Sequence, residues 1–382
     1  MKRLFYSFFI LLGLYVMKIY ILTLPLNVNY GGILQAYALQ TVLLRMGHEV
    51  AVIDREKKPR WTEWFFKLPG RLVQKIVLRR NIPVFHERLY YQHSLMQAQY
   101  TCRFIEQHIK RRMVHFLSEI DQTEMDALVV GSDQIWRPVY FTPFYGNVVN
   151  AFGAFADHWN IRRLSYAASF GVDHLKEYSV NEILEIGRIL STFSGVSVRE
   201  SSGIHLCKDY FHVVAQQVLD PTMLLKMDDY LKLIPDTMPK QEGIMTYVLD
   251  AFEGKYAFLN RLGEQLKMPL FSVIAESYEK PQPPLEQWLA GFRDASLIVT
   301  DSFHACVFSI LFNKPFWVVL NPNRGIARIE SLLSMFGLEN RLVTNLQTCP
   351  VEKTPIDWQA VNQKLEQGRK HSTEYLINAL ES

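Results

Sequence analysis

Residues 294–320 read DASLIVTDSFHACVFSILFNKPFWVVL, and the fold class turns on how this stretch divides. Leu297-Ile298-Val299 is a short apolar, β-branched run, the composition of a parallel strand covered on both faces. Thr300-Asp301-Ser302 stands at its C-terminal end, and Asp301 or Ser302 can cap a helix that starts there. Val307, Phe308, Ile310 and Leu311 give that helix an apolar face. Asn313-Lys314-Pro315 stops it, and Phe316 to Leu320 supplies the next strand. In open α/β sheets, ligands sit outside the carboxyl ends of strands, where helix N-termini point at them. His304 falls in the first turn of this helix, beside backbone N–H groups that suit an anion.

Length and composition set the bounds. A chain of 382 residues exceeds one ordinary core and suits two domains. A hydrophobic share of 49% and a charged share of 21% are those of a globular protein. Lys and Arg number 41 against 38 Asp and Glu, a net charge of +3, which gives no support to nucleic acid as a partner. Cys102, Cys207, Cys306 and Cys349 form no CxxC pair and no zinc spacing, so a reducing compartment without a metal site is expected.

At the N-terminus, Lys2-Arg3 precede an apolar run from Leu4 to Met17 that Lys18 ends. The run is shorter than the roughly 20 residues a spanning helix needs, and no small-residue cleavage site follows it. Met17-Lys18-Ile19-Tyr20-Ile21-Leu22-Thr23-Leu24 reads as a natural opening strand. Residues 1–16 are therefore expected to lie outside the fold, with a membrane-docking segment as the alternative.

In chain order, a strand Ile19–Leu24 leads into an Asn/Gly-rich loop holding Asn29, Tyr30, Gly31 and Gly32. A helix Ile33–Met46, closed by Gly47, and a strand Glu49–Asp54 complete a βαβ unit. The loop is neither GxGxxG nor a P-loop. Residues 55–115 interleave Arg and Lys with Trp61, Trp64, Phe65 and Phe66. A helical insertion with a solvated basic face is the expectation, and a patch on a membrane or an anionic lipid-linked substrate is the alternative. Asp126–Val130 runs into Gly131-Ser132-Asp133-Gln134, where Asp133 is either a base for a sugar hydroxyl or a helix cap. Arg162–Gly171 is the next strand. Ser194–Glu200 reads as a further strand ending in Arg199-Glu200, either a grip for carboxylate or phosphate or an ion pair. Val218–Leu225 reads as a strand entering the domain junction.

The domains are expected at residues 17–225, including the 55–115 insertion, and 226–382. In the second, strands are expected at Ile244–Leu249 and Leu270–Ile274. Helices are expected at about 255–267, Leu285–Ala295 and Glu330–Phe336, with a terminal helix Trp358–Leu380 crossing back toward the first domain.

The ordered set of motifs is more specific than any one of them. Asn29-Tyr30-Gly31-Gly32-Ile33-Leu34-Gln35-Ala36-Tyr37 is followed by Gly131-Ser132-Asp133-Gln134-Ile135-Trp136, then by Ser165-Tyr166-Ala167-Ala168-Ser169-Phe170-Gly171. Val196-Ser197-Val198-Arg199-Glu200, Leu219-Asp220-Pro221-Thr222, Thr300-Asp301-Ser302-Phe303-His304 and Lys314-Pro315-Phe316 complete it. Together they resemble the polysaccharide pyruvyl transferase family, over roughly residues 17–345.

The resemblance implies an α/β fold of two Rossmann-like domains facing across a cleft, as in GT-B glycosyltransferases. It implies transfer of pyruvate from phosphoenolpyruvate to a sugar diol, giving a cyclic ketal and phosphate, with no cofactor. The implied acceptor is a saccharide of a capsular, exopolysaccharide or cell-wall repeat, often polyprenyl-linked. The implied location is the cytoplasm, with peripheral contact at the inner face of the membrane as an option.

By this similarity Arg199 and His304 bind the donor's anionic groups, with His304 also a candidate acid and Asp133 a candidate base. Asn29, Tyr30, Gly31, Ser132, Gln134, Asp301 and Ser302 line the cleft, and Arg324 and Arg328 add charge. Ala305 departs from the glycine that many relatives carry after the histidine. The competing readings are a GT-B glycosyltransferase using a nucleotide-sugar and a non-catalytic assembly partner. Asn313-Lys314-Pro315 stands where a ribose-binding carboxylate is expected in the former. Asp133, Arg199 and His304 together weigh against the latter.

Overall fold

The computed structural model describes residues 16–55, 86–250, 254–275, 277, 279–320, 326–344, 346 and 355–382. The N-terminal apolar run, the aromatic-basic stretch 56–85 and Arg324 lie outside the described residues.

The first sheet is built from β1 (Lys18–Leu22), β2 (Glu49–Arg55), β3 (Arg111–Val114), β4 (Ala127–Val130) and β5 (Arg162–Ser165). Its strands lie in the order β3-β2-β1-β4-β5, and every pairing is parallel. Helices α1 (Tyr30–Arg45), α2 (His86–Gln97), α3 (Gln99–His108), α4 (Pro138–Tyr145), α5 (Val180–Leu190) and α6 (Ser201–Phe211) accompany it. A short parallel pair, β6 (Ser197–Val198) with β7 (Gln216–Gln217), continues the sheet beyond β5 through an Ala168–Val198 bridge. α7 (Pro221–Leu224) and α8 (Met227–Leu231) then lead to the second sheet.

The second sheet holds β8 (Ile244–Tyr247), β9 (Leu270–Ser272), β10 (Leu297–Thr300), β11 (Phe316–Val319) and β12 (Leu342–Val343). Its order is β12-β11-β10-β8-β9, again all parallel. Its helices are α9 (Lys255–Leu266), α10 (Leu285–Asp294), α11 (Phe303–Leu311) and α12 (Ile326–Phe336). A long α13 (Trp358–Glu381) closes the chain. Among the described residues no helix is long and apolar enough to cross a membrane.

These two orders fix where a ligand can sit. In the first sheet the direction of winding reverses between β1 and β4, and in the second between β8 and β10. Loops leaving adjacent strands at such a reversal diverge to opposite faces and open a crevice at the carboxyl edge. The β1 and β4 crevice is lined by Asn29 and by Gly131 to Gln134. The β8 and β10 crevice is lined by Val248 to Asp250 and by Asp301 to His304. The two crevices face each other. One apolar cluster runs from Ile19, Ile33 and Leu39 through Tyr30 to Trp288, Phe308 and Phe316, joining the two halves. Tyr30 is the bridge. It is 1% exposed, its ring lies 5.6 Å from Trp288, and its hydroxyl donates to the Pro283 carbonyl at 2.5 Å.

The opening stretch is observed almost as its composition predicts: β10, α11 and β11. Three elements differ. Arg111–Val114, placed by its basic character inside an insertion, is edge strand β3, whose Arg111 pairs with the buried Asp54 at 3.0 Å. Helix α1 starts at Tyr30, so Tyr30 and Gly31 belong to its first turn. The run expected as a strand over Val218–Leu225 is broken at Asp220, whose side chain accepts from the Thr222 N–H at 3.0 Å and starts α7 with Pro221 at its first position.

Helix α13 returns to the first sheet. The Tyr375 hydroxyl donates to the Ser165 carbonyl at 2.7 Å, and the Ser194 hydroxyl donates to the Ala379 carbonyl at 2.6 Å. Ser165 O keeps a second donor in the Ser197 hydroxyl at 2.8 Å. Tyr375→Phe therefore strands no acceptor, and its expected cost is that of one net hydrogen bond, about 1 kcal/mol. Equilibrium urea unfolding reads this directly, and an unchanged midpoint would show that the tether adds nothing.

Candidate active site

The polar centre is Arg199, which follows the short strand β6 and is 4% exposed. One terminal nitrogen donates to Asp220 Oδ2 at 3.0 Å and the other to Asp133 Oδ1 at 3.3 Å. Its Nε lies 4.0 Å from Glu200 Oε2 and has no hydrogen-bond partner. The guanidinium also lies over the Phe303 ring, 4.3 Å from the centroid. Glu200 is fixed in turn, its Oε1 accepting from the Ser169 hydroxyl and from the N–H groups of Phe170 and Gly171.

Asp133 reaches Arg199 from a tight backbone. Gly131 has φ +139, and a Cβ there would lie 2.0 Å from the Tyr166 carbonyl oxygen, so only glycine fits. Asp133 itself has φ +61, a left-handed conformation that aspartate tolerates better than most residues. The Ser169 N–H donates to its carbonyl at 3.0 Å, and Asn29 Nδ2 donates to its Oδ2 at 3.5 Å.

His304 enters from the opposite crevice. It is the second residue of α11 and is 6% exposed. Its Nε2 lies 3.6 Å from Asp220 Oδ2, beyond hydrogen-bond distance, and the nitrogen lacks a hydrogen-bond partner. The ring rests on Gly31: a Cβ there would lie 2.0 Å from His304 Nδ1. The first-turn glycine of α1 thus lets an imidazole from the second half seat against the first. Ala305 leaves the helix start intact, buried and with its carbonyl taken by the Ser309 hydroxyl.

Charge is balanced tightly. Burial would raise both Asp133 and Asp220. Arg199, His304 and Arg328 outweigh it at Asp133, holding the carboxyl below its ordinary value. His304, Arg199 and Thr222 do so at Asp220, holding it well below the usual carboxylate range. Burial would lower Arg199, and Asp133, Asp220 and Glu200 reverse that. Arg328 on α12 is 7% exposed, and burial together with Arg199 pulls its guanidinium down to about 10. Its guanidinium carbon lies 5.8 Å from the Phe303 centroid, so Phe303 meets both guanidiniums.

The sequence-predicted residues separate into two groups. Asn29, Gly31, Asp133, Arg199, His304 and Arg328 converge. Ser132, Asp301 and Tyr30 serve the frame: the Ser132 hydroxyl donates to Ala167 O at 2.9 Å, Asp301 accepts from the N–H groups of Leu249 and Asp250, and Tyr30 is core. Gln134 lies over Gly171, with its Oε1 buried and without a hydrogen-bond partner. Ser302 caps α11 through its backbone and makes no side-chain cap hydrogen bond. Asp220 was missed as a site residue, although it touches both Arg199 and His304. Its signal was the Asp-Pro-Thr sequence, a helix start hidden in an apolar run. Among the described residues no group of His, Cys, Asp and Glu side chains could hold a metal ion.

Residues 29–323 match the family model described as polysaccharide pyruvyl transferase. The chain belongs to the polysaccharide pyruvyl transferase family. Membership makes it a transferase with a saccharide acceptor, and the matched span contains the whole convergent set except Arg328. No curated protein sequence matches the chain. Among solved structures it is similar to Arabidopsis thaliana UGT89C1 complexed with UDP-L-rhamnose, at 10% identity and a TM-score of 0.50, covering 96% of this chain and 99% of that one. It is also similar to UDP-GlcNAc 2-epimerase from Neisseria meningitidis bound to UDP-GlcNAc, at 9% identity and a TM-score of 0.46, covering 95% and 94%. The pyruvyl transferase family fold in this chain is thus GT-B-like, two Rossmann-like domains across a cleft.

Proposed function

We propose that the chain transfers pyruvate from phosphoenolpyruvate to two hydroxyls of one sugar, forming a cyclic ketal and releasing phosphate. The observation that carries this reading is a pair of buried nitrogens without hydrogen-bond partners, Arg199 Nε and His304 Nε2, 4.0 Å from Glu200 and 3.6 Å from Asp220, where the two crevices meet. Buried donors without acceptors mark a place for an anion. The first-turn N–H groups of α11 add favourable partial charge.

A proton delivered to the donor's methylene carbon turns it into a methyl group and leaves C2 electron-poor. One sugar hydroxyl bonds to C2 and the C2–O bond to phosphate breaks. The second hydroxyl then closes the ring. Each hydroxyl loses one proton; one replaces the proton spent on the methylene, and the other leaves with phosphate. His304 is the proposed proton donor, with Arg199 holding the donor's carboxylate or phosphate. Asp133 is the proposed acceptor of the hydroxyl proton. A carboxylate held below its ordinary value is a weak base, which suffices here, because a hydroxyl already bonded to an electron-poor carbon is strongly acidic. Asn29 donates to the Asp133 oxygen that Arg199 does not hold, and Arg328 adds the second guanidinium. A polyprenyl-linked repeat unit is the proposed physiological form of the acceptor.

The test is phosphate release from phosphoenolpyruvate in the presence of p-nitrophenyl hexosides, with a matching mass gain on the sugar. His304→Ala is expected to lower the rate at least about a hundredfold. A wild-type chain that releases no phosphate with any hexoside but binds a UDP- or GDP-sugar would overturn the reading.

A further inference from the structure

A cavity of about 580 Å³ opens at the carboxyl edge of β2 and β3, away from the polar centre. Arg55 at the end of β2, His115 and Phe116 after β3, Tyr145 at the end of α4, and Asn150 and Phe155 line it. Phe116 is half exposed. The Tyr145 hydroxyl is buried and has no hydrogen-bond partner. Neighbouring Asp54 accepts instead from the Leu26 and Arg55 N–H groups and from Arg111. Gly146 ends α4 facing open space, with nothing within 4 Å of where a Cβ would stand.

We propose that this cavity is a second carbohydrate subsite, taking a neutral hexose residue of the acceptor next to the one that receives pyruvate. The inference rests on the pyruvyl-transfer reading for which sugar is the neighbour, but not for the binding itself. Aromatic faces from Phe116 and Phe155 suit the C–H face of a pyranose. The Tyr145 hydroxyl and the Asn150 amide supply neutral, directional hydrogen bonds, and Tyr145 gains the acceptor that it lacks. Burial, reinforced by Asp54, pushes the phenol well above its usual range, so it stays a donor.

Position agrees with this assignment. Arg55 lies on β2 and Asp133 follows β4, with β1 between them. Two strand spacings put Arg55 about 10 Å sideways from Asp133, a span that one or two sugar residues bridge. Arg55 alone would also attract a diphosphate. Of the six polar side chains in the lining, Ser118, Thr142, Tyr145 and Asn150 carry no charge, which favours a sugar over an anionic carrier.

The experiment titrates the full chain with methyl hexopyranosides, the corresponding β-linked disaccharides and geranyl diphosphate by saturation-transfer NMR, without phosphoenolpyruvate. The best disaccharide is expected to bind about tenfold tighter than its monosaccharide. Phe116→Ala, at an exposed ring, and Tyr145→Phe, which removes only the unpartnered hydroxyl, are each expected to erase most of that gain. Neither variant should alter monosaccharide binding. A wild-type chain that binds no disaccharide better than its monosaccharide overturns the subsite. So does an undiminished gain in both variants, or a loss confined to geranyl diphosphate binding, which would assign the cavity to the carrier. Disaccharide binding that is lost in the variants, in a chain that transfers no pyruvate, keeps the subsite and removes the reaction.

Discussion

Gly31→Ala is expected to abolish turnover and destabilise the fold, and adding His304→Ala is expected to restore the stability but not the activity. At an ordinary helical position this change is mildly favourable, since alanine forms helices better by up to about 1 kcal/mol. Gly31 lies inside α1, so backbone preference favours the substitution. The collision opposes it: the new Cβ would lie 2.0 Å from His304 Nδ1, 2.2 Å from Cγ and 2.7 Å from Cε1. Either the imidazole leaves its place or the two halves part. Overpacking of this kind costs about 1–3 kcal/mol. Displacing a reacting group by about 1 Å costs on the order of a hundredfold in rate. Removing the imidazole deletes the collision, so the double variant should regain the melting temperature of His304→Ala alone, or exceed it. Steady-state kinetics and thermal melts on the four chains of the cycle decide this. Equal stability losses in Gly31→Ala with and without His304 would show that the glycine serves some other purpose.

The same contact shows what was legible in the sequence. Residues 297–319 announce strand, helix and strand because every position agrees: β-branched residues in β10, a cap at Ser302, and a stop at Pro315. That local consistency is why the element ends fall within a residue of the reading. It fails where tertiary contacts decide. Arg111–Val114 is too basic to read as a strand, and becomes one because Asp54 neutralises Arg111 at a sheet edge. Val218–Leu225 is apolar enough to read as a strand, and is broken because Asp220 caps the next helix and at the same time holds Arg199.

In the site, motif order located Asp133, Arg199 and His304 but not what they touch. Asp220 became visible only when β7 and α7 were placed beside β6. Ser132 and Asp301 lie in the same motifs as the converging groups, yet point into the frame. A polar residue at a strand end has two directions open to it, and the sequence does not distinguish them.

Arg199→Met is the substitution with the largest expected effect on stability, and its effect should depend on pH. From sequence alone, replacing Arg199 is expected to stop turnover and leave the fold intact. The structure places its guanidinium in contact with Asp133 and Asp220, with Glu200 at 4.0 Å, all nearly or fully buried. Removing one partner from a buried ionic cluster leaves uncompensated charge and costs about 3–5 kcal/mol.

The sign of the pH dependence follows from the carboxyls. In the wild type both Asp133 and Asp220 lie below their ordinary value near 3.9. Their contribution is therefore fully present above about pH 4 and is lost only as pH falls through the depressed values. Removing Arg199 takes away the largest influence opposing burial at Asp133, while Asp220 keeps His304, the larger of its opposing influences, so Asp133 is the carboxyl expected to rise. A buried acid raised above its unfolded value destabilises the fold at neutral pH, and that penalty fades as pH falls and the proton binds. The stability gap between wild type and Arg199→Met should thus be widest near pH 7.5 and narrower near pH 5. Arg199→Lys keeps the charge without the two-pronged geometry and should recover part of the gap. Urea midpoints of the three chains at both pH values are the measurement. A gap that stays constant with pH would mean that Arg199 packs against Phe303 but does not govern the protonation of the carboxylates around it.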